Sequence, residues 1–143
     1  MLAHPGSLAL VSVVVCLALL LWRPEDVADQ DRILSLSRLT RTNGVFYVEG
    51  EAHPFNGVAL ESYRSGGRKA VTEIQNGVAH GLSEGFYTNG VLQIREMYQH
   101  GVLHGERSKF WSNGNLKSQG RAVDGAWEGV FRKWHESGGL AQE

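Results

Sequence analysis

The chain has 143 residues, a formal net charge of -1 and a single cysteine. That balance fits one ordinary domain and excludes an intrachain disulfide and a cysteine-built zinc site. Its 14 basic and 15 acidic residues are mixed along the chain without a like-charged block, so nucleic acid is not an expected partner.

From Leu8 to Trp22 every residue is apolar except Ser12, and Arg23 and Pro24 close the run. As a helix this stretch spans about 22 Å, and Ala3 to Ser7 bring it close to the roughly 30 Å of a bilayer core. No basic residue precedes the run and no clear small-x-small site follows it, so an uncleaved signal anchor is favoured over a cleaved signal peptide. Lipidation at Cys16 is disfavoured because Val15 stands where a small residue is needed. The acids Glu25, Asp26, Asp29 and Asp31 then mark a solvated stalk. Arg23 alone gives little orientation, and an extracytoplasmic repeat domain is the expectation, secreted if the segment is cleaved.

Glycine, at 18 residues against three prolines, exceeds its usual share of roughly 7%. Its placement is periodic. Gly57, Gly81, Gly105 and Gly129 are 24 residues apart, a second set follows at Gly66, Gly90, Gly114 and Gly138, and a third at Gly77, Gly101 and Gly125. Asn76-Gly77, Asn89-Gly90, Asn113-Gly114 and Asp124-Gly125 are dipeptides that accept the positive φ of tight hairpin turns. The segments between them, of about eight residues, carry the aromatic and β-branched side chains of strands. Equivalent positions form ladders: Phe86, Phe110 and Trp134; Tyr63, Tyr87 and Trp111; Leu92, Leu116 and Leu140. These side chains are read first as core, because stacked hairpins bury what one hairpin cannot. Thr42-Asn43-Gly44-Val45 repeats Thr88-Asn89-Gly90-Val91, which predicts a degenerate first hairpin capping the sheet.

The predicted fold is therefore all-β, an elongated antiparallel meander of β-hairpin repeats preceded by one N-terminal apolar helix. Its divisions are 1–23 (signal anchor or signal peptide), 24–35 (polar stalk), 36–56 (degenerate first hairpin) and 57–143 (repeats at 57–80, 81–104, 105–128 and a partial 129–143).

Three patterns invite a chemical reading. Gly81-Leu82-Ser83-Glu84-Gly85 matches G-x-S-x-G, but a nucleophile elbow joins strand to helix, whereas Ser83 falls inside a predicted strand. His80 and His104 occupy equivalent positions in adjacent repeats; tetrahedral zinc needs three or four ligands, and the next copy offers only Glu128. Glu84, Glu96 and Glu106 do not converge on an acid/base pair. No catalytic residue, metal or cofactor is expected, nor a small-molecule substrate.

The recurring pattern, in Phe86-Tyr87-Thr88-Asn89-Gly90-Val91-Leu92 and again in Gly105-Glu106 through Phe110-Trp111-Ser112-Asn113-Gly114-Asn115-Leu116-Lys117, resembles the variant MORN repeat over roughly residues 44 to 143. Such arrays include YwqK-like antitoxins, and MORN proteins more widely are associated with membranes and protein scaffolding. The resemblance implies a binding module. The resulting expectation is a non-enzymatic, membrane-anchored protein-interaction or scaffolding module, with an antitoxin or immunity protein as the alternative and a serine hydrolase as a third reading. Ser62 and Arg68 depart from the repeat pattern. Arg68, Trp127 and Trp134 are the candidate protein-binding residues.

Overall fold

The computed structural model describes residues 32–143. The apolar helix and anchor expected at 1–23, and the stalk residues up to 31, lie outside the described residues. Among the described residues, no helix is long and apolar enough to cross a membrane.

The fold is all-β. Eight strands run as a long antiparallel meander: β4 (Gly57–Ser62), β5 (Arg68–Gln75), β6 (Val78–Phe86), β7 (Leu92–Gln99), β8 (Val102–Phe110), β9 (Leu116–Val123), β10 (Ala126–Trp134) and β11 (Leu140–Gln142). Preceding them are β1 (Ile33–Ser35), a 3-10 turn at Leu36–Arg38, β2 (Leu39–Thr42) and β3 (Val45–Val48).

Two kinds of turn alternate along the meander. Short turns at Asn76-Gly77, His100-Gly101 and Asp124-Gly125 place both central residues at positive φ, between 49° and 81°, the geometry that matches the twist of paired strands. Longer turns at 63–67, 87–91, 111–115 and 135–139 share one bonding pattern. The first residue's N–H donates to the carbonyl four residues on, as from Tyr87 to Val91 at 2.8 Å, and its own carbonyl accepts from the glycine N–H three residues on. In two of these turns an asparagine carbonyl locks the exit, Asn89 Oδ1 accepting from Val91 N and Asn113 Oδ1 from Asn115 N.

The leading register of glycines does something else. Gly81, Gly105 and Gly129 sit inside β6, β8 and β10 at positive φ, where the strand register shifts. These glycines mark β-bulges and not turns: three residues stand opposite one, as His80 to Leu82 opposite Glu73, and the glycine takes the conformation that side chains disfavour. At the first bulge the carboxylate of Glu73 accepts the N–H of Leu82 at 3.0 Å.

The N-terminal part departs from a plain meander. Ile33–Ser35, within the stretch assigned to the stalk, pairs in parallel with β4, Ile33 opposite Val58. The hairpin expected at 36–56 forms as β2–β3 around Asn43-Gly44, yet it makes its own two-stranded sheet. It lies over the long sheet, held by Phe46 N to Gly77 O and Gly77 N to Phe55 O, each 2.8 Å. The reason is burial. Phe55 is fully enclosed, and with Val48, Ala59 and Ile74 it forms the core against which Leu34, Leu36, Leu39 and Phe46 pack. A single sheet has no second layer of its own, and the hairpin supplies one over the first repeat.

Candidate functional site

Strand alternation puts every second residue on one face, and direct register partners share that face. The pairs Thr72 with Ser83, Ser83 with Glu96, Glu96 with Arg107, and Arg107 with Gly120 therefore draw one row across five strands. This is the same face that carries Ala59 and Ile74 under the hairpin; beyond β6 the row continues past the hairpin's cover.

The row is chemically continuous. Thr72 Oγ1 and Ser83 Oγ are 2.9 Å apart. Tyr98 donates its hydroxyl to Glu96 Oε2 at 3.2 Å. Glu96 Oε1 lies 2.7 Å from Arg107 Nε, with side chains only 14% and 28% exposed, so this ion pair is shielded where most others on the sheet are solvated. The carboxylate sits off the axis of the Nε–H, which is buried without a well-directed acceptor. Burial pushes the Tyr98 phenol above its ordinary value, and the Glu96 charge adds to the rise.

At the far end the Arg107 guanidinium lies 5.8 Å from the centre of the Trp127 ring, within cation–π range. Trp127 meets Phe131 edge-to-face at 5.1 Å, and both rings cover Gly120, where a Cβ would come within 3.0 Å of the Trp127 ring. Glycine at this position is what lets the aromatic pair lie on the strand. Trp127 remains 51% exposed.

At the near end, the row opens into a cleft of about 380 Å³ beneath the β2–β3 hairpin, lined by Arg41, Phe46, Thr72, Ser83, Tyr98 and Gly101 among others. The Arg41 guanidinium covers the Phe46 ring at 5.3 Å, and its Nε donates to Gly44 O.

The three candidate binding residues do not meet. Trp127 is in the row. Arg68 is the register partner of Ser62, where later copies pair Phe86 with Leu92, Phe110 with Leu116 and Trp134 with Leu140. Its guanidinium covers Phe86 of the next repeat at 5.5 Å. Trp134 is half-buried and offers its carbonyl to Trp111 Nε1 at 3.2 Å. Sequence reasoning does not single out Glu96 or Tyr98 as binding residues; Arg107 figures there only among the mixed charges of a polar rim, and Phe131 only within the Trp127 to Trp134 region. Repeat position alone could not rank them, because Ser83 and Arg107 share one position and Glu96 and Gly120 another, so the signal lay in cross-strand pairing.

The residues that resemble reactive groups hold the array together. His80 Nδ1 accepts from His100 N at 3.3 Å, and His104 Nδ1 accepts from Asp124 N at 3.4 Å. Asn56 Oδ1 does the same for Asn76 N at 2.7 Å. The spacing is 20 residues each time, so the histidines share a turn-bracing role with an asparagine. His104 Nδ1 also lies 3.2 Å from Asp124 Oδ1. Among the described residues no three His, Cys, Asp or Glu side chains are grouped to hold a metal ion. Ser83 sits mid-strand in β6, paired to Thr72, and not on a strand-to-helix turn.

The hairpin β6–β7 and the hairpin β8–β9 are thus two copies of one bonded unit. A comparison with family models recognises both. The MORN repeat variant matches residues 79–100 and 103–122. No curated protein and no solved structure matches the chain. Each matched stretch carries one long turn and its bracing aromatic, Tyr87 in the first MORN copy and Trp111 in the second, together with the strands that contribute Ser83 and Glu96, or Arg107 and Gly120, to the row.

Proposed function

We propose that the chain is a non-enzymatic MORN-variant repeat protein that binds another protein through the open face carrying the cross-strand row, and that its apolar N-terminal segment holds it at a membrane. On this reading the repeats extend from Gly57 to the C-terminus, because the turn pattern of the two matched copies recurs at 63–67 and 135–139. The observation that carries the proposal is the half-exposed Trp127 beside the shielded Arg107–Glu96 pair. Tryptophan and arginine are the residues most enriched among those that dominate protein interfaces, and here the sheet holds both in fixed positions. The bracing roles of His80 and His104 and the mid-strand place of Ser83 support a binding role over a catalytic one. The run from Leu8 to Trp22 supports the anchor.

Crosslinking followed by affinity purification of the full-length chain from native membranes tests the proposal, with Trp127→Ala in parallel. The expected result is a protein retained by the wild type and lost with the variant. Recovery in the soluble fraction alone would remove the anchor. A single toxin as partner would turn the reading toward neutralisation, and no protein partner at all would overturn it.

A further inference from the structure

Resting on the protein-binding reading above, we infer that the row is a peptide groove for an extended partner segment with a carboxylate side chain and a large apolar side chain four residues apart. The acidic side chain enters the cleft under the β2–β3 hairpin and the apolar one rests on Trp127 and Phe131.

Charge gives the first half of the motif. Among the described residues Arg41 has no carboxylate partner, and neither Lys109 nor Lys133, which share the face through Ser118, has an ion pair. On this face Glu96 is already engaged by Arg107 and Tyr98, and Glu61, near Thr72, by Lys69. The opposite face differs, since Glu84 is paired with Arg95, and Glu106 accepts from Ser108 and Gln119. The groove thus carries surplus positive charge that an acidic segment complements. Within the cleft, Thr72 and Ser83 bond to each other. Whichever hydroxyl donates, the other keeps a proton for an incoming carboxylate oxygen, and Arg41 at the rim supplies the charge-assisted donor. Ser83 is then a ligand-binding hydroxyl and not a nucleophile.

Spacing gives the second half. Ser83 on β6 and Gly120 on β9 are three strand steps apart, about 14 Å at the usual interstrand distance. An extended segment rises about 3.3 Å per residue, so side chains four positions apart span that distance and point the same way. The Trp127–Phe131 pair over Gly120 offers the apolar platform at that place.

The test is selection from a displayed library of random twelve-residue peptides on the full-length chain in mild detergent. The expected enrichment is Asp or Glu followed four positions later by Leu, Ile, Met or an aromatic residue. Binding of a selected synthetic peptide should fall about tenfold in Arg41→Ala, recover in Arg41→Lys, and fall comparably in Trp127→Ala. Arg95→Ala on the other face should leave it unchanged. As a measurement free of mutational damage, wild-type affinity should weaken as salt rises from 50 to roughly 500 mM. Enrichment without an acidic position, no enrichment, or affinity indifferent to both Arg41 and salt would overturn the inference. A protein partner recovered from membranes alongside such a failure would leave the binding reading standing and remove only this motif.

Discussion

The phenol of Tyr87 donates to the carbonyl of Phe110, 23 residues ahead, at 2.9 Å. Tyr63 makes the same bond to Phe86 at 2.6 Å, and Trp111 Nε1 makes it to Trp134 at 3.2 Å. Two ladders that run separately through the sequence are therefore cross-linked: the aromatic of one repeat reaches the backbone of the aromatic in the next. In a one-layer array, stability is approximately the sum of repeat and neighbour terms, and these bonds are neighbour terms. Asn89 Nδ2 to Ser112 O and Asn113 Nδ2 to Glu136 O, each 3.0 Å, add a second tie at the same turns.

Removing one tie should cost a measurable fraction of the whole. Tyr87→Phe keeps the ring and deletes the hydroxyl, leaving the Phe110 carbonyl without that partner. The expected loss is about 1 kcal/mol, seen as a lower urea midpoint. Hydrogen exchange should speed up in β7 through β9 more than in β4, because the tie holds neighbouring repeats.

The turn-bracing role of His80 gives a substitution test. Asn56 performs the same task with an amide oxygen, so His80→Asn should keep the acceptor for His100 N, whereas His80→Leu fills similar space and offers none. The leucine variant should lose about 1 kcal/mol relative to the asparagine variant in chemical denaturation. Equal stabilities would remove the bracing role. The His80 ring also meets His100 edge-to-face at 4.9 Å, a contact that both variants lose alike.

Much of this architecture is legible in the sequence, since Asn76-Gly77 and Asp124-Gly125 form the expected two-residue turns and the strand lengths follow from the intervals between glycines, whereas Asn89-Gly90 and Asn113-Gly114 fall in the longer turns with only the glycine at positive φ. His100-Gly101 takes the same conformation because its repeat position requires it. Three features escape a linear reading. A glycine at fixed period does not say whether it turns the chain or bulges a strand; Gly81 is distinguished only by the register shift opposite Glu73. Ile33–Ser35 is too short to announce a strand, and its parallel pairing with β4 places Leu34 against the core around Phe55, a contact the linear pattern does not show. The row from Thr72 to Trp127 joins residues from six strands, so it exists only once the bulges have fixed which side chains face together. Trp127 is conspicuous in sequence as an aromatic outside the ladders. Its platform, Gly120, is not.

Gly120 is where that platform can be disturbed from below. An added Cβ would approach Phe131 Cδ2 at 2.5 Å and Trp127 Cζ3 at 3.0 Å, and both are side-chain atoms at the sheet surface. Gly120→Ala should therefore fold with the aromatic pair lifted off the strand, at a cost of about 1–3 kcal/mol. Altered indole NMR signals for Trp127, with those of Trp111 unchanged, would check it. Gly90→Ala is the comparison, since nothing lies within 4 Å of its Cβ and the cost comes only from its φ of +84°, about 1–2 kcal/mol.

Tyr98 ties the row to alkaline stability. Burial, then the neighbouring Glu96 carboxylate, raises the phenol above its ordinary 10.0, so the folded state holds this proton more tightly than the unfolded chain does. The resulting contribution is fully present below about pH 10 and is lost as pH rises through the folded value. Loss of the proton would place a phenolate beside Glu96, with Arg107, among the described residues, the only cation paired to that carboxylate. Urea midpoints of the wild type should therefore fall between pH 9.5 and 11.5 by more than those of Tyr98→Phe, which has no proton to lose. At pH 7 the variant lacks the 3.2 Å bond to Glu96 and should be less stable than the wild type by about 0.5–1.5 kcal/mol, a gap that narrows as the pH rises. Parallel pH profiles for the two proteins would show that Tyr98 does not feel the row.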